Sequence, residues 1–513
     1  MSSSLANSAF EVKWTPLTSR IVTGAALCVA VASFVMRLPI IASLQVFGFA
    51  DPGSVLQTDL AIAEGYRPGI DFAYPYGLLT LAVSRGWFFL FGRTPASLVA
   101  LLAVYQLLCA WGVVRFARAR RMHKPALALL LASIPLLLAS STIGVCHCVE
   151  SALLVHAMAE QAAEKRSRCL VLAGLAALVK PSMAFVYAAA VGALLVLRLW
   201  RRQLSSRRFW RTVSPGILVI VISTTLLVLV FGPREVLETA LPLYGRKVYQ
   251  ANGFGFFARE GRNFWHPTGA NGFYYLGTSA GFWLVVVTTT LTAGVAAAWR
   301  LLRFATDARV ARAAETGTDD ELLVTSATCQ FVWIVLLFGG AWSSSYYLFF
   351  AVFGAALWIN QTGASRPFPR LGAALAAVLA VLALKSEGSA AVVAWRTWER
   401  GPDTYGLWTP PAMREEWRYV QAIQGRRPVL GSLFMGGLEV LDRRFVTPRY
   451  GMLIVGASTP VMRRELERRI AAADLVLVEK FLLGPRSMHR TETESLESGR
   501  PVWQGASFVV LRH

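Results

Sequence analysis

The sequence predicts an all-α polytopic membrane bundle followed by a small α/β domain, and three observations carry that prediction. The chain has 513 residues, of which 55% are hydrophobic and only 16% charged, with a mean hydropathy of +0.49. The apolar residues come in runs of helix-spanning length, for example Ile21–Met36, Ala96–Val114 and Gly216–Phe231, where roughly 20 mostly apolar residues cross a bilayer. The arginines fall in short loops between those runs, and after about residue 385 the pattern changes to short strands and charged helices.

Taken in order, a tail with Lys13 and Arg20 precedes the first span, Ile21 to about Phe47, read as uncleaved because its apolar run is too long for a signal peptide. An acidic and aromatic segment follows, with Asp51, Asp59, Glu64 and Asp71 among Tyr66, Phe72, Tyr74 and Tyr76. The next apolar stretch, Gly77–Phe91, is short and interrupted by Arg85 and Gly86, which suits a helix lying in the interface. Charge parity decides the point. With this stretch in the interface, the clusters Arg115–Lys124, Lys165–Arg168, Arg198–Arg211, Arg300–Arg312 and Arg366–Arg370 all fall on the cytoplasmic side together.

The later spans are Ala96–Val114, Ala126–Val145, Val149–Ala163, Leu170–Val179, Met183–Leu199, Thr212–Phe231, Gly272–Ala298, Leu322–Gly340, Trp342–Asn360 and Leu371–Leu384. With the first they make about eleven. The N-terminus is then cytoplasmic and the C-terminal domain extracytoplasmic, in a multi-pass protein of the plasma or inner membrane. Residues 1–385 form the transmembrane domain, with outer loops at 50–95 and 232–271, and residues 386–513 form the α/β domain. In the latter, Pro428-Val429-Leu430, Leu475–Val478 and Phe508–Leu511 read as strands and Met462–Ala473 as a helix.

The net charge of +21 would suggest nucleic acid in a soluble chain, but its confinement to short inter-span loops assigns it to membrane orientation. The six cysteines all lie in or beside spans, so no disulfide framework is implied. Cys146-His147-Cys148 lacks a second pair at ligand spacing and reads as small apolar packing. No metal or cofactor is called for; Asp51 and Glu150 are the pair that could take a divalent ion, without further support.

The chemistry lies in the first outer loop. It reads Asp51-Pro52-Gly53, then Glu64-Gly65-Tyr66-Arg67-Pro68, then Asp71-Phe72-Ala73-Tyr74-Pro75-Tyr76-Gly77. Carboxylates beside a membrane are costly unless solvated or paired. This arrangement resembles the GT-C superfamily of membrane glycosyltransferases, which includes protein O-mannosyltransferases and the aminoarabinose transferases that modify lipid A. In those proteins the loop opens on an acidic pair after the first span and continues through Gly-x-Pro-Tyr-x-Asp-Phe into an interfacial helix. Asp51, Gly65, Asp71-Phe72 and Tyr74–Gly77 stand at the matching places, and Gly174–Pro181 is similar to the superfamily's Gly-Leu-Ala-x-Leu-x-Lys segment. Pro52 replaces the second acid, and the Lys-Pro-Pro form is absent.

The resemblance implies transfer of a sugar, with inversion, from a polyprenyl-phosphate donor to an acceptor hydroxyl on the outer face of the membrane. The acceptor is a lipid, glycan or protein. Attack by a hydroxyl calls for a carboxylate base, for which Asp51 is the candidate, with Glu150 supporting it or placing the acceptor. The departing phosphate calls for fixed cations. Lys180 is the first candidate, followed by Arg246, Lys247, Arg259 and Arg262 in the second outer loop. Asp71, Tyr74 and His147 complete the expected substrate site. Blander readings stand beside these: Lys180 as a snorkelling lysine, Glu150 as a helix-start glutamate, and the aromatics as an interfacial belt. A transporter or lipid flippase is the competing class, though it would place more ionisable groups near the bilayer midplane. An inactive scaffold of the same architecture is a third.

Overall fold

The computed structural model describes residues 12–49, 51–72, 74, 76–141, 145–180, 183–240, 294–295, 298, 318–332, 347–361, 368–401, 405–424, 429–431, 437–446, 460–480 and 499–513. The chain begins with α1 (Pro16–Met36), α2 (Leu38–Ile41), α3 (Leu44–Phe49), α4 (Asp51–Ala63), α5 (Leu78–Phe91), α6 (Pro95–Ala119) and α7 (Lys124–Ser141). It continues with α8 (Val145–Ala162), α9 (Arg166–Val179), α10 (Met183–Trp200), α11 (Ser206–Phe231), α12 (Pro233–Ala240), α13 (Thr318–Phe331), α14 (Leu348–Gln361) and α15 (Phe368–Ala383).

Four of these, α1, α6, α10 and α11, are long and apolar enough to cross a membrane, and α5, α7, α14 and α15 contain shorter apolar stretches. Local signals start them. Thr15 caps α1 by accepting from the Thr18 N–H, with Pro16 in the first turn, and Thr94 caps α6 by accepting from Ser97, before Pro95. Helix α1 turns a stripe of small residues inward, Ser19, Val22, Ala26, Ala30 and Ser33. It leaves Leu17, Ile21, Val31 and Val35 exposed, as a lipid-facing surface requires. Helix α6 packs on α1 and α8, α8 on α9, α9 on α11, α7 on α15, and α13 on α14.

The first span differs from its expected course to about Phe47. The helix stops at Met36, because Pro39 lacks an N–H and its ring clashes with the preceding turn, and the chain proceeds through the short α2 and α3. Helix α5, the interfacial stretch, has 14 residues, about 21 Å, which is short of the ~30 Å hydrocarbon core. Its Arg85 and the nearby Arg93 pair with Asp59 of α4, at 3.5 and 2.6 Å. That pairing ties the first outer segment into one unit.

At the end of the bundle away from this unit, Arg115, Arg120, Arg166 and Arg198 are paired with acids. Glu321 of α13 bridges Arg166 and Arg198, Arg120 pairs with Asp319, and Arg115 pairs with Glu160. His156 joins the last pair: its Nδ1 accepts from Arg115 at 2.8 Å and its Nε2 donates to the Leu108 carbonyl at 2.9 Å.

The helical path does not stop with α15 at Ala383, near where the sequence changes character. It continues through one wide turn, Leu384–Gly388, into α16 (Ser389–Thr397). Then follow β1 (Glu399–Arg400), β2 (Trp408–Thr409), α17 (Pro411–Gln424), β3 (Val429–Gly431), α18 (Leu438–Leu441), β4 (Phe445–Val446), α19 (Pro460–Ala472), β5 (Leu475–Glu479), β6 (Arg500–Gln504) and β7 (Phe508–Arg512). The main sheet has the order β4-β3-β5-β7-β6. Strands β4, β3 and β5 are parallel, and β7 and β6 are antiparallel additions. Helix α17 lays Trp417 against Phe445 and Phe508. Its Glu416 accepts from the backbone N–H groups of Ala506, Ser507 and Phe508.

Candidate functional site

Two segments picked out separately in the sequence meet in space. The Tyr74–Gly77 segment enters α5 beside the C-terminal end of α9, where the Gly77 N–H donates to the Val179 carbonyl at 2.9 Å. A Cβ at Gly77 would be driven into the Leu178 carbonyl, so only glycine permits this approach. The contact places the Tyr-Pro-Tyr aromatics next to Lys180, the residue that ends α9.

Lys180 is 8% exposed. Its Nζ lies 3.1 Å from His147 Nδ1, and 5.7 Å from the ring centres of both Tyr76 and Tyr347. Tyr76 packs edge-on against His147 at 6.1 Å and against Tyr74 at 5.8 Å. A buried ammonium in a low-dielectric setting needs compensation, and Glu150 supplies it. This carboxylate is fully buried and within the electrostatic reach of Lys180. Its Oε2 accepts from the Tyr347 hydroxyl. It also accepts from the Ala184 backbone N–H, at the start of α10. Glu150 therefore serves the N-terminal end of a neighbouring helix, not that of its own. Its Oε1 has no hydrogen-bond partner among the described residues.

Four helix ends thus converge: α5 brings Tyr76, α8 brings His147 and Glu150, α9 ends in Lys180, and α14 is preceded by Tyr347. The assembly offers one cation between two aromatic faces, one buried carboxylate with an oxygen unpartnered among the described residues, and the hydroxyl that donates to that carboxylate. Such a set can hold a phosphate oxyanion on the cation and a hydroxyl group on the carboxylate.

The expected site residues divide into four groups. Tyr74, His147, Glu150 and Lys180 come together. Asp71 does not join them, since it faces Arg67, with contacts of 3.1 and 3.2 Å to the guanidinium and 2.8 Å to the Arg67 N–H. Those contacts close the turn between α4 and α5, and the Arg67 guanidinium holds the Asp71 carboxyl below the usual carboxylate range. Asp51 is the first residue of α4, and its side chain lies outside the described residues. Arg246, Lys247, Arg259 and Arg262 also lie outside them.

Sequence reasoning missed Tyr347 and gave Tyr76 no role of its own. Tyr347 is 197 positions from the Glu150 it touches. Its only local signal is the polar run Ser343-Ser344-Ser345 that precedes Tyr346 in an otherwise apolar stretch. Among the described residues no group of three or more His, Cys, Asp or Glu is placed to hold a metal ion.

No protein-family model matches the chain, and no curated relative matches it. Among solved structures it is similar to ArnT from Cupriavidus metallidurans in the apo state, at 14% identity and a TM-score of 0.48, over 95% of this chain and 98% of that one. It is similar to ArnT from the same organism bound to undecaprenyl phosphate, at 13% identity and 0.47, with the same coverage. It also resembles the arabinofuranosyltransferase AftD from Mycobacteria, at 14% identity and 0.45, over 98% of this chain and 40% of that one.

Proposed function

We propose that this chain is a membrane glycosyltransferase that moves a sugar from a polyprenyl-phosphate donor to an acceptor hydroxyl, with inversion. The transfer takes place at the end of the bundle that carries the C-terminal sheet, on the extracytoplasmic side. The observation that carries this reading is the buried Lys180, held by Tyr76, Tyr347, His147 and Glu150 where the two motif segments of the sequence meet.

In this reading the lipid phosphate seats on Lys180, and the aromatic faces on either side exclude water and strengthen the attraction. As the bond from the anomeric carbon to the phosphate breaks, negative charge grows on the phosphate oxygens. A fixed ammonium stabilises that charge without reorganisation. On the opposite face of the sugar the acceptor oxygen attacks and its proton goes to a carboxylate, for which Asp51 at the head of α4 is assigned. In the same reading the Oε1 of Glu150 orients the acceptor hydroxyl, and Tyr347 fixes the carboxylate that does so. The C-terminal sheet belongs to the same face, and the paired arginines at the other end of the bundle take no part.

The test measures sugar transfer from a polyprenyl-phosphate donor in membranes carrying Asp51→Asn or Lys180→Met. Asp51→Asn is expected to lower kcat by 10²-fold or more, roughly the contribution of general base catalysis. Lys180→Met is expected to weaken donor binding by about a hundredfold, or ~2.7 kcal/mol. Full activity in Asp51→Asn removes the assigned base, and unchanged donor affinity in Lys180→Met removes the phosphate seat.

A further inference from the structure

Residues of the C-terminal region hold the chain on either side of α4. The Trp408 N–H donates to the Ala42 carbonyl at 3.0 Å, the Trp395 indole donates to the Met36 carbonyl at 3.0 Å, and Arg443 faces Glu64 at 3.5 Å. Between these contacts lies the closest one. Gly437, which caps the start of α18, meets Gly53 in the first turn of α4, with the Phe47 carbonyl against both. A Cβ on Gly437 or on Gly53 would be driven into that carbonyl, and the Gly53 Cβ would stand 3.1 Å from the Gly437 Cα.

Backbone conformation does not account for these glycines. Gly437 has φ −74° and ψ −23°, and Gly53 lies inside a regular helix, so any residue could adopt either conformation. Only the close approach requires them to be bare. Beside them Leu438 fills the space over Gly48 and Leu44. Two backbones in direct contact form a stop that no rotamer change can relax, unlike a contact between side chains.

We propose that the C-terminal region is a positioning part of the transfer site: the start of α18 seats the first turn of α4, with Gly53 and Gly437 as the positioning residues. The inference rests on the assignment of Asp51 made above, because Asp51 stands two residues before Gly53 in that turn. A base displaced by about 1 Å loses on the order of 10²-fold in rate, so the seat matters to chemistry more than to binding.

The experiment compares the full-length wild type with Gly437→Ala and Gly53→Ala in detergent or nanodiscs, using undecaprenyl phosphate as the binding probe. Each variant is expected to lose between about tenfold and a hundredfold in kcat. Its KM for the donor and its affinity for undecaprenyl phosphate should move less than about twofold, because Lys180 follows α9 and is held by Tyr76, Tyr347 and His147. Hydrogen exchange should quicken at the amides of α4 and stay unchanged in α8 and α9. Leu438→Ala, which loosens the seam without a clash, carries the same expectation if the alanine variants do not fold. Unchanged α4 exchange in a folded variant overturns the seat. Faster α4 exchange with wild-type kcat, or kcat and donor affinity falling together, overturns its role in transfer. Full activity in Asp51→Asn is a separate result, which overturns the assignment of the base and leaves the exchange measurement to decide the seat.

Discussion

At the scale of single residues, the balance between Lys180 and Glu150 governs the site. An ammonium and a carboxylate buried together at the end of a helical bundle are each expensive alone, so removing one leaves the other uncompensated. Tyr347 modulates this pair with the least disturbance, because Tyr347→Phe deletes one hydrogen bond to Glu150 and keeps the ring over Lys180. That variant is expected to keep donor affinity and lose about tenfold in kcat, ~1.4 kcal/mol, as the carboxylate loses its anchor. Donor affinity and kcat falling by the same factor in Tyr347→Phe would place Tyr347 on the phosphate instead. Of this group, Lys180 was legible in the sequence because a lysine amid apolar residues calls for a partner. His147 and Glu150 were legible as the polar residues in an apolar run. Tyr347 was not legible: a tyrosine in a membrane span is ordinary, and its partner is remote in the chain.

At the scale of elements, two contacts carry predictions. The first is the docking of α5 on the end of α9. Gly77→Ala sets a methyl against the Leu178 carbonyl, an overpacking that costs about 1–3 kcal/mol, and it lifts Tyr76 away from Lys180. Weaker donor binding in a folded protein is the expected result, and wild-type affinity would separate the aromatic segment from the cation. The second concerns the sheet. Glu479, at the end of the central strand β5, is buried, and its Oε2 has no hydrogen-bond partner among the described residues. Burial pushes the Glu479 carboxyl well above the usual carboxylate range. A group whose folded pKa is raised contributes stability that is fully present below the unfolded value, about 4.5. That contribution is lost as pH rises through the folded value. Thermal midpoints of wild type should therefore fall between pH 5 and 9, while Glu479→Gln stays flatter and melts higher at the alkaline end. Equal midpoints at pH 9 would show that Glu479 ionises without cost. The three strands read from the sequence, around Val429, Leu475 and Phe508, are the adjacent centre of the main sheet, β3-β5-β7. Their apolar runs are buried by neighbours on both sides. The two outer strands escaped notice because β4 has only two residues and β6 begins with Arg500-Pro501.

At the scale of the whole molecule, the question is which end of the bundle faces outward. The site and the sheet share one end, and the paired arginines with Glu321 and Asp319 occupy the other. From the positive-inside bias we propose that the arginine end faces the cytoplasm. A cysteine placed at Arg118 should accordingly react with a membrane-impermeant maleimide only from the cytoplasmic side, and one placed at the exposed Ala412 only from outside. Labelling of both from one side overturns the orientation and, with it, the placement of transfer on the outer face.

The sequence by itself determined the membrane bundle, the short first-loop helix, the central strands of the sheet and the two motif segments. Each of these is written in local composition: runs of apolar residues, their interruption by Arg85 or Lys180, and the aromatic spacing around Asp71. The tertiary structure decided what those segments do to one another. It closed Asp71 onto Arg67, broke the first span at Pro39, and carried the helical path past residue 385. It set Tyr347 on Glu150 and pressed Gly437 against the turn that holds Gly53. These contacts join residues far apart in the chain, and burial and backbone proximity created them only once the helices had packed.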